Sequence, residues 1–325
     1  MDKNRPDVSI VIVSWNVRRY LKACLESIYE NKTDLMLEVY VVDNASSDGS
    51  AEMLKSRFPQ VTLLENKANV GFAAAGNQAI RESNGRYIFL LNPDCILMKN
   101  TIRKMFDFME KHPDSGASGG RILNPDGEIE AFRTAKRFPT PLTKFFVDVH
   151  LDKIFPKVLF FGSYSIGGWS RNEVKEIDVL SGAFMFIRRE TIDEVGLLDE
   201  RFFLLAEDID WCRRIKQHEW KILFNPEAGI IHYGGKSIDQ DKQMRLRNEI
   251  FSHSLYFEKH HGRLASFRYN VLSALTNLFK TSYWIFQYVL GNNREMASGN
   301  IRAYIRAVFF SILFHRDPKG TKHNG

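Results

Sequence analysis

Two rhythms alternate along the first hundred residues. Val8-Ser9-Ile10-Val11-Ile12-Val13-Ser14 is a β-branched run, the pattern of a strand buried on both faces. Leu21, Cys24, Leu25, Ile28 and Tyr29 then recur at helical spacing. Val39–Val42 predicts a second strand and Ser50–Phe58 a second helix. Val61–Leu64, Phe72–Arg81, Tyr87–Leu91 and Thr101–Lys111 continue the alternation as strand, helix, strand, helix. Such alternation predicts an α/β architecture with a mostly parallel sheet and helices on its faces.

The pattern changes after Pro113. Asn124-Pro125-Asp126-Gly127 between two short runs reads as a hairpin turn. Residues 136–170 are irregular and aromatic-rich, after which strands resume at Ile177–Leu180 and Ala183–Ile187. A helix over Asp208–Gln217 and a strand over Lys221–Phe224 follow.

From about Leu264 two apolar segments are studded with bases, Tyr269–Asn293 and Ala307–Phe314, the second flanked by Arg306 and Arg316. Crossing a bilayer takes about 20 apolar residues, and the longest uncharged stretch here, Thr281–Asn293, falls short. Aromatic residues such as Trp284, Phe286, Tyr288 and Phe309, set against Arg and Lys, suit the surface of an anionic membrane. Helices closing over the core, or a contact between copies, would leave the same pattern.

Charge sharpens this division. The 325-residue chain has a net charge of +6, too little to call for nucleic acid as a partner. From Asp241 onward there are 13 Lys/Arg against 5 Asp/Glu, so a mildly acidic body carries a basic tail. Cys24, Cys95 and Cys212 are far apart and form no CxxC pair. That argues against a disulfide framework or a cysteine zinc site and fits a reducing compartment. The polar start and short first apolar run do not form a signal peptide, so the expected location is the cytoplasm.

Ligands of open parallel sheets bind beyond the carboxyl ends of the strands, and the polar residues cluster there. Strand one runs into Ser14-Trp15-Asn16, strand two into Asp43–Ser50 and strand four into Asn92-Pro93-Asp94. Ser47 and Asp48 can be explained as helix-capping residues. The three ends together outline a pocket for a base and a ribose. Neither GxGxxG nor GxxxxGK[ST] is present, so diphosphate charge would be met by something other than a glycine-rich cradle. A carboxylate-held divalent cation is the simplest candidate.

VSIVIVSWN (Val8–Asn16), VVDNASSDGS (Val41–Ser50), NVGFAAAGN (Asn69–Asn77), LNPD (Leu91–Asp94), SGA (Ser181–Ala183), FFLLAEDID (Phe202–Asp210) and HYGGKS (His232–Ser237) occur in this order. The set resembles the inverting family-2 glycosyltransferases of the GT-A fold, and bacterial rhamnosyltransferase-like enzymes among them, over about residues 6–260. The resemblance implies a Rossmann-like GT-A catalytic domain over 1–260. Its nucleotide-binding half would span about 1–112 and its acceptor-binding half about 113–260, with C-terminal amphipathic helices over 261–325.

Residue roles follow from the same resemblance. Asp43 matches the carboxylate that reads the pyrimidine base, with Ser14 and Asn16 lining that pocket. Asn69 and Gly71 turn beside the nucleotide, and Asn77 forms a polar wall. Asp94 matches the last position of the DxD signature and His232 an imidazole on the same divalent metal, Mg2+ or Mn2+. Asn92 replaces the first DxD carboxylate and leaves an amide for the ribose. Asp208 matches the catalytic base and Glu207 orients Asp208 or the acceptor, whereas Asp210 is read as structural. All three acids could equally serve the helix dipole. Gly182 falls on the acceptor side. Trp169 suits either a sugar platform or the core.

The implied reaction moves a sugar from a nucleotide-sugar donor to a lipid-linked or polysaccharide acceptor, with inversion. It would take place peripherally on the inner face of the cytoplasmic membrane, and a homo-oligomer is compatible with the sequence. Arg133, Lys136, Arg137 and the Phe145–Phe161 stretch could join the basic tail at the lipid surface. The alternative is a nucleotide- or carbohydrate-binding protein that keeps the fold without turnover. The presence of Asp94, Asp208 and His232 together favours the enzyme.

Overall fold

The computed structural model describes residues 5–31, 33–154, 164, 166, 169–236, 241–291 and 293–313, apart from the side chains of 131, 132, 152 and 153. Gly167, Gly168, Ser237, Phe314 and Arg316, and part of the Phe145–Phe161 stretch, lie outside the described residues. The strands are β1 (Val8–Ser14), β2 (Leu37–Asp43), β3 (Thr62–Glu65), β4 (Tyr87–Leu91), β5 (Cys95–Leu97), β6 (Ser115–Leu123), β7 (Lys175–Glu176), β8 (Phe184–Arg188) and β9 (Lys221–His232). The helices are α1 (Arg18–Glu30), α2 (Ser50–Arg57), α3 (Phe72–Glu82), α4 (Thr101–Lys111), α5 (Ala131–Thr134), α6 (Pro141–Asp148), α7 (Leu151–Ile154), α8 (Arg189–Val195), α9 (Glu207–Gln217), α10 (Lys242–His261), α11 (Arg263–Val289) and α12 (Arg294–Leu313).

Every residue of β1 is buried, as its unbroken apolar character predicts. The sheet order is β3-β2-β1-β4-β8-β6-β9-β5, with β7 added to β9. From β3 to β4 all pairings are parallel, as the strand–helix alternation predicts. Beyond β4 the sheet is mixed: β8 is antiparallel to both β4 and β6, and β6 is parallel to β9. Phe89, Phe184 and Phe186 carry one core across this change of direction.

Several elements differ from the sequence expectation. Strand pairing at 177–180 is reduced to a single bridge between Lys136 and Val179, and the neighbouring strand is Lys175–Glu176. The strand beginning at Lys221 runs through Asn225-Pro226 to His232. A register shift between Gly119 and Arg121 on β6 accommodates that interruption. The three-residue β5 and the helix over 242–261 have no counterpart in the sequence expectation.

The chain forms two compact units, Met1–Phe138 with Lys157–Gln240, and Pro139–Pro156 with Asp241–Gly325. The first contains the sheet. The second is helical: α10, α11 and α12 pack on one another, and α6 packs on α11. Within it the buried Lys144 ammonium pairs with Asp148 and lies 2.9 Å from Glu249, two carboxylates that hold it charged despite burial.

In the sheet unit one close approach fixes the start of α3. Gly71 has φ +87°, and a Cβ there would fall 2.4 Å from the Phe203 carbonyl oxygen. That carbonyl accepts the Phe72 N–H at 2.7 Å. Gly71→Ala is therefore expected to lower stability by about 2–3 kcal/mol. Thermal or urea denaturation checks this, and an unchanged midpoint would refute the close packing of the two segments.

Candidate active site

The register of β1 on β2 sets Ser14 opposite Asp43. Asp43 Oδ2 accepts the Ser46 N–H at 3.0 Å. Its Oδ1 and the Ser14 hydroxyl are buried and make no hydrogen bond. Two adjacent orphaned polar atoms at strand ends are costly unless a ligand satisfies them. Asn16, in the left-handed region at φ 52°, accepts the Ser47 N–H at 2.7 Å. Asp48 takes the capping role: its carboxylate accepts the N–H groups of Arg18 and Ser50, tying the starts of α1 and α2 together.

A residue given no role in the sequence reading organises the next loop. Asn44 donates to Asn69 Oδ1 at 2.8 Å and to the Gly71 carbonyl, and accepts the Val70 N–H. It thereby fixes the 66–71 turn beside Asp43. Asn77 is fully buried, and its amide grips the Leu198 backbone on both sides and reaches Glu200. It holds the segment that leads to Phe203 and is not a wall of an open pocket.

Asp94 and His232 meet because β5 pairs antiparallel with β9, Cys95 standing opposite His232. His232 Nε2 lies 3.2 Å from Asp94 Oδ1, yet that nitrogen is buried and makes no aligned hydrogen bond. The HYGGK turn wraps the carboxylate: the Tyr233 N–H donates to the Asp94 carbonyl and the Lys236 N–H to Oδ2. Burial pushes the Asp94 carboxyl up, but the His232 imidazole and the Lys236 N–H outweigh it, leaving Asp94 below the usual range.

The segment Ser181–Ala183 joins this end of the sheet to the start of α9. The Asn92 N–H donates to the Ala183 carbonyl at 3.2 Å. The Gly182 N–H donates to Asp208 Oδ2 at 3.1 Å. Leu205 and Ala206, both with left-handed φ, precede the helix and set the direction in which its first acids leave the backbone. Glu207 is buried, with Oε2 unbonded. Burial, and then the neighbouring Asp208 carboxylate, push Glu207 up to about 8. Asp210 is fully buried and pairs with Arg214 at 2.9 Å, a structural bond.

The structure thus brings Ser14, Asn16, Asp43, Asn69, Gly71, Asn92, Asp94, Gly182, Glu207, Asp208 and His232 to one edge of the sheet unit. Trp169 is used differently. Its buried ring packs edge-on against Phe224, with Arg171 and Lys175 over it, leaving little face for a sugar.

The sequence model of Glycosyl transferase family 2 matches residues 9–196, more than half of the chain. The chain belongs to this family. As a family-2 glycosyltransferase it carries Asp208 and His232 beyond the matched span. It is 26% identical over 264 residues to the N-acetylglucosaminyl-diphospho-decaprenol L-rhamnosyltransferase of Mycobacterium tuberculosis, covering 78% of this chain and 84% of that one. A mannosyltransferase from Pyrobaculum calidifontis, solved with GDP-Man and Mn2+, superposes with a TM-score of 0.54 at 17% identity, over 94% of this chain and 86% of the other. GalNAc-T7, solved with UDP, GalNAc and Mn2+, gives a TM-score of 0.52 at 18% identity over 80% of this chain. The present glycosyltransferase spans about half (52%) of that longer protein. At such identities the likeness concerns the fold, which is GT-A.

Asp94, Cys95 and His232 of this glycosyltransferase place ligand atoms within 4.8 Å of one another. Asp94 Oδ1 and His232 Nε2 stand about as far apart as two neighbouring ligands of a small divalent cation would, and the unaligned His232 nitrogen is the atom such an ion would satisfy. Burial and the Asp94 charge raise the Cys95 thiol well above its usual value, so it stays protonated and suits a hard cation poorly. Arg133 donates to His232 Nδ1 at 3.0 Å, while Glu130 Oε2, buried and without a hydrogen bond, stands 4.0 Å from the same nitrogen. An ion on Nε2 requires the proton on Nδ1, so the Arg133 bond to that nitrogen would have to give way, with Glu130 Oε2, already paired with Arg133 Nε at 3.4 Å, the carboxylate beside it.

The raised Glu207 carboxyl has a pH signature. An unfolded glutamate ionises near its ordinary value of about 4.3, whereas folded Glu207 holds its proton up to about 8. Between those values the folded state binds the extra proton, so this group's contribution to stability falls as pH rises. Glu207→Gln is expected to melt progressively higher than the wild type as pH goes from 4 to 8, by several degrees. A difference that does not change with pH, measured by scanning calorimetry, would contradict the shift.

Proposed function

We propose that this glycosyltransferase moves a sugar from a pyrimidine nucleotide sugar, dTDP-rhamnose or a UDP-sugar, to a hydroxyl of a lipid-linked or cell-envelope saccharide. The observation that carries the reading is the Gly182 N–H bond to Asp208 Oδ2, which fixes a half-buried carboxylate beside the strand end that holds Asp94. In this reading residues 1–112 serve the donor, the following half serves the acceptor, and the C-terminal helices serve the membrane. The rhamnosyltransferase relative, whose name carries a diphospho-decaprenol acceptor, supports the lipid-linked class; the place of action in this reading is the inner face of the cytoplasmic membrane.

The mechanism is a direct displacement with inversion. Asp43 Oδ1 and the Ser14 hydroxyl, unsatisfied in the protein alone, read the pyrimidine edge. Asn16 and Asn69 border the nucleoside, and the Asn92 amide suits the ribose. Asp94 and His232 would hold Mg2+ or Mn2+, which stabilises the negative charge growing on the diphosphate as it leaves. Asp208 takes the proton of the acceptor hydroxyl as the new bond forms on the opposite face of the sugar. Its two oxygens accept the Gly182 and Ile209 N–H groups, so the carboxylate is oriented before the acceptor arrives. Glu207, neutral near pH 7, can donate a hydrogen bond to an acceptor oxygen without adding a second charge beside Asp208.

Asp208→Asn is expected to lower transfer by about 10²- to 10⁴-fold while donor affinity, measured by calorimetry, stays the same. Near-normal turnover would remove Asp208 as the base. Asp94→Asn and His232→Gln are each expected to weaken Mn2+ binding by about tenfold or more, read by electron paramagnetic resonance of free Mn2+. Unchanged affinity in both variants would place the ion elsewhere.

A further inference from the structure

The two C-terminal helices are built inside out. Apart from Tyr269, the buried stripe of α11 is Ser266, Asn270, Ser273, Thr276, Asn277 and Thr281. Leu264, Phe267, Val271, Leu275, Phe279, Tyr283 and Phe286 form its exposed stripe. Both stripes recur every three to four residues, so each is one continuous face of the helix. On α12 the buried positions are Ala297, Asn300, Ala303, Ala307 and Ser311, while Met296, Ile305, Phe309, Ile312 and Leu313 are exposed. Phe279 and Leu313 are 68% and 69% exposed. In water the hydrophobic effect sorts such residues the other way round.

The contact between the helices also differs from a water-soluble core. Small side chains on α12 face hydroxyls and amides on α11. Ser311 Oγ donates to Ser273 Oγ at 3.2 Å across the pair, while Asn277 and Thr281 donate back to the Ser273 and Asn277 carbonyls of their own helix. Small residues in close contact, with a hydroxyl bonded across, are how helices associate where the surroundings are apolar and burial supplies no driving force. The exposed stripe runs the whole 27-residue length of α11, about 40 Å at 1.5 Å per residue, so it suits a helix lying along a surface. No described helix is long and apolar enough to cross a membrane. Arg263, Arg268, Arg294, Arg302 and Arg306 are exposed on the same pair, where anionic headgroups would meet them.

We propose that α11 and α12 form an in-plane membrane element, with the outward stripes sunk into the acyl region of one leaflet and the arginines on anionic lipid phosphates. This rests on the reading that the C-terminal helices serve a membrane, and deepens it by giving their orientation, their depth and the lipid they bind. It can fail while sugar transfer stands. The test uses the full chain and vesicles of phosphatidylcholine with or without phosphatidylglycerol. The wild type is expected to co-sediment with the anionic vesicles and to lose about tenfold in affinity at high salt. The double variant Phe279→Asp/Phe309→Asp is expected to lose binding by about tenfold or more, while donor hydrolysis in solution is unchanged. As a second reading, Phe279→Cys and Phe309→Cys carry nitroxide labels, since Cys24, Cys95 and Cys212 are all buried. In vesicle-bound protein the labels should collide with oxygen and be shielded from a water-soluble nickel chelate. Labels open to the chelate would overturn the proposal. So would a wild type that ignores vesicles and forms a dimer broken by the same aspartates, because the stripe would then cover a second copy.

Discussion

Two hydrogen bonds from main-chain groups of one tripeptide hold the candidate active site of the sheet unit together. In Ser181-Gly182-Ala183, the Ala183 carbonyl is tied to Asn92 and the Gly182 N–H to Asp208. The residues on either side are far apart in sequence and belong to different elements: the end of β4 and the start of α9. Because β8 follows at once and enters the sheet beside β4, the tripeptide is anchored to the strand whose end it reads. A shift of that segment would separate the acid proposed to act on the acceptor from the acid proposed to serve the donor. On the tripeptide's side the positioning is done by main chain, which substitution there leaves largely intact; on the far side one bond ends on the Asp208 carboxylate.

Around that link the polar atoms fall into two groups. Asn44, Asn77, Asp48 and Asp210 are fully engaged within the protein and hold loops and helix starts. Ser14 Oγ, Asp43 Oδ1, Glu207 Oε2 and His232 Nε2 are buried without an aligned hydrogen bond. Unsatisfied buried atoms are usually scattered and few. Others are scattered through the described residues, as at Ser118, Thr191 and Thr276, but these four lie on the edge that carries the family-2 motifs, where a ligand can relieve the cost.

Much of this was legible in the sequence, for physical reasons that can be named. The β-branched run at Val8–Ser14 and the period of α1 and α3 settle the parallel half of the sheet. The ordered motifs from Val41 to His232 locate the polar strand ends. What stayed hidden depends on contacts distant in sequence. β5 has three residues and no period to read, yet its pairing with β9 sets Asp94 beside His232. Asn225-Pro226 looks like a strand end and is instead absorbed where β6 shifts register. Asn77 and Trp169 have the composition of site residues, but burial commits them to the core. In the tail, the sequence reading sets bases against aromatics, whereas the buried face is lined by serine, threonine and asparagine.

The paired left-handed residues ahead of α9 have a consequence for how the enzyme can change. Leu205 and Ala206 each occupy a backbone basin that costs an ordinary L-residue roughly 1–2 kcal/mol, and neither is glycine or asparagine. Replacing Ala206 with glycine would release part of that stored strain into global stability. It would also loosen the pivot that aims the acid behind it. Robustness and turnover therefore trade against each other at this corner, and a laboratory search for heat-tolerant descendants that ignores activity should be drawn to position 206.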